Sequence, residues 1–276
     1  MRFTSGQAIR VSIGGLKLNA RVDGPEDAPW MVCSNSLSAN LSLWDGQVAA
    51  FGSRFRFLRY DQRGHGNSDA PADTFSMDDL AGDLLALLDC FNVDKAVLIG
   101  VSMGCVTVLR CAARAPTRCL GVVGCDGQWR SAPGSAAIWE ERVSLVRKGG
   151  MEAMAEPTVR RWFQPGFFTQ EPDEVQRIKD MVSATKAEGY CGCAKALQNY
   201  DFSADYSALT TPALFLAGAQ DGDLPKVMRE MANATPGSNF QIIDNCGHLP
   251  NIEQPKAFFK AVDEFARGLG IGATIC

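Results

Sequence analysis

The chain has 276 residues, 46% of them hydrophobic and 21% charged, with a net charge of −4 and a pI near 5.3. That length suits one large α/β unit, and the composition suits a soluble protein able to bury a sizeable core. No basic excess exists to neutralise phosphates, so a nucleic-acid partner is excluded. No apolar run approaches the roughly 18 residues of a membrane span, no basic amphipathic helix suggests a membrane surface, and the opening residues 1–6 carry no apolar signal core. A cytoplasmic protein is expected. Ten cysteines fall mostly within apolar strand or helix runs and read as reduced, buried thiols packing as small hydrophobes. The tightest pair, Cys191-Gly-Cys193, has no neighbouring ligands at metal-site spacing, so no metal is predicted.

Taken in order, residues 9–13 and 16–22 alternate around Gly14-Gly15 and predict an opening β-hairpin. Asp23 to Pro29 is a loop by composition. Trp30 to Cys33 is a buried strand, followed by the polar turn 34–40 and a short helix over 43–51. A strand over 55–60 leads into Asp61-Gln-Arg-Gly-His-Gly-Asn-Ser-Asp69. Ser76 is placed to cap a helix over 77–91, with Asp79 favouring its positive end. Leu80, Leu84, Leu87 and Leu88 form the apolar stripe of that helix.

The strand 96–99 then closes on Gly100-Val-Ser-Met-Gly104 and runs into a helix-competent segment, 105–115. A buried strand turning sharply into a helix, with serine at the turn and glycines two residues either side, is the nucleophile elbow. The requirement is steric. Serine must take a strained backbone conformation, and a Cβ at Gly100 or Gly104 would collide with the crossing strand and helix. A further buried strand follows at 119–124.

From 126 to 206 the strand–helix rhythm gives way to helical sequence rich in aromatics, including Trp129, Trp139, Trp162, Phe163, Phe167 and Phe168. An insertion of this length reads as a cap over a site. Strand–helix alternation resumes with a strand at 212–217, a helix over 226–234, a last strand at 240–243 and a closing helix over 255–269. The alternation implies a mostly parallel sheet covered on both faces. The core is therefore assigned to 1–125 and 207–276, with a helical cap insertion over 126–206.

An elbow serine needs a base, and the chain has two histidines. His65 precedes the nucleophile and reads as a turn residue. His248 follows the last strand, in Asn245-Cys-Gly-His-Leu-Pro250, at the end of the sheet where ligands bind in α/β folds. The order serine, acid, histidine selects His248. For the acid that holds the imidazole, Asp221 lies just past the strand 212–217. Asp126 after the strand 119–124 is its rival, and Asp223 reads as a solvated neighbour. The oxyanion donors are expected to be the amides of Met103 and Leu37, with Ser36 the next choice in that loop.

On these residues the chain resembles the α/β-hydrolase fold superfamily over its whole length, and within it the 3-oxoadipate enol-lactonase group. The matching pieces are Ser34-Asn-Ser-Leu37 with Trp44-Asp45, Arg59-Tyr-Asp-Gln-Arg-Gly-His-Gly66, Gly100-Val-Ser-Met-Gly104, Arg161-Trp-Phe163, Glu188-Gly-Tyr190, Gly218-Ala-Gln-Asp221 and Gly247-His-Leu-Pro-Asn-Ile-Glu-Gln-Pro255. The resemblance implies Ser102 as nucleophile, Asp221 as orienting acid and His248 as base. Cys105 stands where the group commonly has a second glycine, and Asp126-Gly-Gln-Trp-Arg-Ser131 departs from its usual Asn-Thr-Ala-type stretch.

The expectation is a cofactor-free serine hydrolase of a small carboxylic ester or lactone. Trp129, Arg130, Trp139, Arg161 and Trp162 are the candidate substrate contacts, the two arginines able to grip a carboxylate or else to sit in solvent-exposed ion pairs. C–C bond hydrolysis or perhydrolysis on the same triad, and a non-catalytic small-molecule receptor of the same fold, are the alternatives, because fold does not dictate substrate.

Overall fold

In the computed structural model, residues 5–71 and 74–271 are described. The expectation for the opening residues 1–4, and the outermost ends of the assigned core, lie outside that range. Strands β1 (Ala8–Ile13) and β2 (Leu16–Asp23) form the antiparallel hairpin. After β3 (Trp30–Ser34), the short helix begins as a 3₁₀ turn, Leu41–Trp44, capped by the Asn40 side chain, and continues as α1 (Asp45–Phe51). β4 (Arg56–Tyr60) precedes α2 (Met77–Cys90). The Ser76 cap is reciprocal: its Oγ accepts from the Asp79 amide, and the Asp79 carboxylate accepts from the Ser76 amide at 2.7 Å.

β5 (Ala96–Val101) is buried at every residue, and α3 (Met103–Arg114) starts immediately after Ser102. β6 (Cys119–Cys125) follows. The chain then makes α4 (Ser135–Gly149), α5 (Glu152–Trp162), α6 (Pro165–Gln170), α7 (Pro172–Ser183), α8 (Ala187–Ala196) and α9 (Ser203–Ser207). β7 (Ala213–Gly218), α10 (Leu224–Ala234), β8 (Asn239–Ile243), α11 (Pro250–Glu253) and α12 (Pro255–Gly268) complete the fold. No helix among the described residues is long and apolar enough to cross a membrane.

The eight strands form one sheet in the order β1-β2-β4-β3-β5-β6-β7-β8. β2 runs antiparallel to β1 and β4, and every pairing from β4 onward to β8 is parallel. Helices cover both faces, and β6 shows which. A Cβ on Gly121 would meet Phe265 and Leu269 at the α12 side, whereas one on Gly124 would meet Cys105 and Leu109 of α3. The loops after β3, β5, β6, β7 and β8 therefore all leave the same edge of the sheet, the carboxyl ends of its parallel strands.

The helical stretch between β6 and β7 does not divide from the rest at 206/207, because that point falls inside α9. The Tyr206 hydroxyl donates to the Val106 carbonyl of α3 at 3.1 Å and its side chain is fully buried. Packing on α3 and α10 makes this last turn part of the core layer. Just before it, α8 is pinned by a glycine contact: Gly64 and Gly189 approach so closely that a Cβ on either would lie 2.2 Å or less from the other's backbone.

Candidate active site

The elbow has the geometry its sequence requires. Ser102 sits at φ 58° and ψ −117°, a region that costs a non-glycine residue on the order of 1–3 kcal/mol. It is held there because its amide donates to Cys125 O at 2.8 Å and α3 begins at the next residue. A Cβ on Gly100 would stand 2.1 Å from the Gly104 carbonyl oxygen, and one on Gly104 would stand 2.1 Å from the Ser34 carbonyl oxygen. Strand, helix and the β3 loop can cross this tightly only with hydrogen at both positions.

His248 is 3% exposed. Its Nδ1 lies 2.5 Å from Asp221 Oδ2. Since the carboxylate only accepts, Nδ1 carries the hydrogen and Nε2 keeps a lone pair. That Nε2 is buried and has no hydrogen-bond partner among the described residues. Burial works to raise the Asp221 pKa, but the His248 charge and hydrogen bond outweigh it and hold the carboxylate below its ordinary range. Asp223 is exposed and stands at the N-terminus of α10 without a side-chain cap bond.

The histidine turn is fastened by Trp162 and Glu253. The His248 amide donates to Trp162 O at 2.8 Å, and the Trp162 ring stacks on the imidazole with centroids 5.9 Å apart and planes at 22°. Glu253 accepts from the Gly247 amide at 2.6 Å and the Gln164 amide at 2.8 Å. One carboxylate thus ties the histidine loop to the chain leaving α5.

The loop after β3 is clamped in the same manner. Asn35 donates to Tyr60 O and Gln62 Oε1, both at 2.7 Å, and accepts from Trp44 Nε1 at 2.8 Å. Ser38, at φ 65°, donates its amide to His65 Nε2 at 3.0 Å, while His65 Nδ1 faces Arg63 O at 3.1 Å. His65 is therefore a neutral buried strut of this loop. Burial lowers its pKa to about 4. Arg59, also from this motif, is 1% exposed and bonds Asp23 and Asp45 at 2.6 and 2.5 Å.

A cavity of about 730 Å³ brings these groups together: Ser36, Leu37, Ser102, Met103, Asp126 and His248 line its floor. Trp139, Arg142, Arg161, Trp162 and Tyr190, from the insertion, line its roof. Arg161 reaches solvent through this cavity, and neither it nor Arg142 has an ion-pair partner among the described residues. Crowding of the guanidinium by the cavity wall, with the neighbouring Arg142 charge, holds the Arg161 pKa below its ordinary value even though the side chain is exposed. Arg142 lies over the Trp139 ring at 4.9 Å. Its place in the cavity comes from the α4 helix face, which no local pattern marked.

Trp129 and Arg130, expected among the substrate contacts, are not part of this lining. The segment is tied elsewhere: Arg130 bridges Asp201 through the backbone, Phe202 N donates to Trp129 O at 2.8 Å, and the Arg130 guanidinium lies 5.7 Å from the Trp129 ring centre. Backbone pairing with 200–202 holds this segment in place. Among the described residues, no group of His, Cys, Asp and Glu side chains is placed to hold a metal ion.

A parallel sheet with an antiparallel hairpin edge, a strained serine between strand and helix, and a carboxylate-bonded histidine after the last strand define the α/β-hydrolase class. A family model for the alpha/beta hydrolase fold matches residues 29–255, and the chain belongs to that family. It is 34% identical over 251 residues to 3-oxoadipate enol-lactonase 2 of Acinetobacter baylyi, covering 89% of this chain and 91% of the relative. It is 32% identical to 3-oxoadipate enol-lactonase 1 of the same organism, covering 92% and 95%. Among solved structures, the enol-lactonase of Burkholderia xenovorans superposes with a TM-score of 0.90 at 35% identity, covering 94% of this chain and all of that one.

Proposed function

We propose that this protein is a cytoplasmic serine hydrolase that opens a small lactone or ester bearing a carboxylate, in the manner of a 3-oxoadipate enol-lactonase. The observation that carries the proposal is the unpartnered His248 Nε2, oriented by Asp221 at 2.5 Å and facing the same cavity as Ser102. Enol-lactonase relatives at 32–34% identity support the lactone reading.

In this scheme His248 Nε2 takes the Ser102 proton as Oγ attacks the carbonyl. The tetrahedral oxyanion accepts from the Met103 and Leu37 amides; the former is free of an intrahelical partner because it opens α3. His248 returns the proton to the departing enol or alcohol oxygen. Water, deprotonated by the same nitrogen, then releases the acid from the acyl-enzyme. No cofactor enters any step.

The insertion, from about 126 to the start of α9, acts as the cap. Trp139 and Trp162 supply its apolar wall, and Arg161 with Arg142 holds the substrate carboxylate. Two guanidiniums without protein counter-ions in a partly desolvated cavity are a standing demand for an anion.

The test pairs Ser102→Ala with a substrate panel. Turnover should fall by several orders of magnitude with the fold retained, and fluorophosphonate labelling should disappear with it. Carboxylated enol-lactones should be preferred over neutral aryl esters and over vinylogous diketones. Undiminished turnover by S102A would overturn the scheme, and a preference for the diketones would overturn the lactone.

A further inference from the structure

In the loop after β3, Ser34 Oγ and the Tyr60 hydroxyl bond each other at 3.0 Å, and the Asn35 amide group is bound through both its nitrogen and its oxygen. Ser36 differs from its neighbours. It is 1% exposed, and its Oγ is buried with no hydrogen-bond partner among the described residues. Its backbone is firmly placed: the Ser36 carbonyl accepts from the Ala39 amide and from Gln62 Nε2, both at 3.1 Å. A buried hydroxyl left without a partner destabilises the fold, so a use for it has to be sought in what the cavity binds.

Ser36 lines the same cavity as Leu37, Ser102, Met103 and His248, and it directly precedes Leu37, whose amide is one of the two assigned to the oxyanion. A trigonal carbonyl oxygen has two lone pairs, which the Met103 and Leu37 amides can fill. Attack by Ser102 Oγ moves the π pair of the C=O bond onto oxygen, and the resulting alkoxide has three. The third lone pair exists only while the tetrahedral centre does. A donor aimed at it stabilises the transition state without tightening the bound substrate.

We propose that the Ser36 hydroxyl is a third oxyanion donor, a catalytic residue that gives its O–H hydrogen bond to the tetrahedral oxygen beside the Met103 and Leu37 amides. The role rests on the hydrolase reading above. Before attack the hydroxyl has no protein partner to give up, so donation to the new oxyanion breaks no bond within the protein. The two bonds to the Ser36 carbonyl fix the residue and leave the hydroxyl hydrogen able to rotate toward the charge as it develops. The proton stays on Ser36 throughout, and His248 alone transfers protons. When the tetrahedral centre collapses, the π bond re-forms and the third donor is released.

The experiment compares Ser36→Ala, which removes the donor, with Ser36→Cys, which keeps the bulk and offers only a weak S–H donor. S36A should lose kcat by about 100-fold, the lower end for an oxyanion donor, with KM changed by less than about threefold. S36C should be impaired nearly as much, which separates lost donation from lost packing. An alkyl trifluoromethyl ketone is the second probe: Ser102 Oγ adds to its carbonyl carbon, His248 takes the proton, and the hemiketal carries a true oxyanion. Its inhibition constant should rise in S36A by about the factor lost from kcat. Removing an unpartnered buried hydroxyl should leave thermal unfolding no lower than in wild type, whereas a structural hydroxyl would lower it. An S36A or S36C with wild-type kcat, or an S36A whose lost activity comes with a lower Tm and an unchanged ketone inhibition constant, overturns the assignment. The two readings fail separately. An S102A that still turns over sinks the hydrolase; an inactive S102A beside a fully active S36A sinks only the third donor.

Discussion

Acidification should weaken this protein through a histidine that takes no part in the proposed chemistry. His65 is completely buried, and its two partners, the Ser38 amide and the Arg63 carbonyl, together admit only the neutral ring. Burial sets its folded pKa at about 4, against 6.5 when free. The unfolded chain therefore accepts a proton that the folded one refuses. The stability this contributes is complete above pH 6.5 and is lost progressively as pH falls through 6.5 toward 4. Linkage puts the loss at about 2 kcal/mol by pH 5 and about 3 kcal/mol by pH 4. The perturbation is His65→Gln, which keeps an amide donor and acceptor but cannot titrate. Urea unfolding of both proteins between pH 7 and 4.5 gives the difference, and carboxyls common to both cancel. Wild type should lose about 2 kcal/mol more than H65Q between pH 7 and 5. Parallel stability curves would refute the reasoning, because the strut would then not be titrating.

Three further outcomes follow from the geometry. Gly104→Ala puts a methyl 2.1 Å from Ser34 O and 2.8 Å from Asn35 O, backbone that cannot rotate away; a loss of about 3 kcal/mol in unfolding free energy and a lower kcat are expected. Arg161→Gln should raise KM for a carboxylate-bearing substrate by about 10- to 100-fold and leave a neutral ester's KM unchanged, with Arg142→Gln adding to the same selective loss in steady-state assays. Glu253→Ala removes the acceptor shared by Gly247 and Gln164; thermal and urea unfolding should register about 3 kcal/mol, and kcat/KM should fall as the His248 turn loosens.

The cysteine after the elbow glycine shows how a local anomaly resolves in three dimensions. Cys105 is fully buried, and a Cβ on Gly124 or Gly127 would come within 2.7 and 2.5 Å of its sulfur. A larger residue on α3 is thus matched by two glycines at the end of β6. Neither departure is interpretable alone, since the pair meets only when helix and strand are stacked.

Much of the framework was legible along the chain because it is encoded locally. Strand-to-helix alternation is a matter of period, the Ser76–Asp79 cap spans four residues, and the elbow packs its steric requirement into five. Chain order and histidine scarcity brought Ser102, Asp221 and His248 forward, and the fold does bring them to one edge of one sheet. What the chain could not reveal depends on segments far apart in sequence. Whether an arginine on the insertion faces solvent or cavity is decided by how its segment packs: Arg142 went unnoticed because its place depends on how α4 lies over the sheet, and Arg130, paired through its backbone with Asp201, is not in the lining. Asp126 looked like a competitor for Asp221, since each follows a neighbouring strand. Only the packing of the loop after β8 against the end of β7 brings His248 to Asp221, at 2.5 Å, and leaves Asp126 accepting from the Gly218 amide.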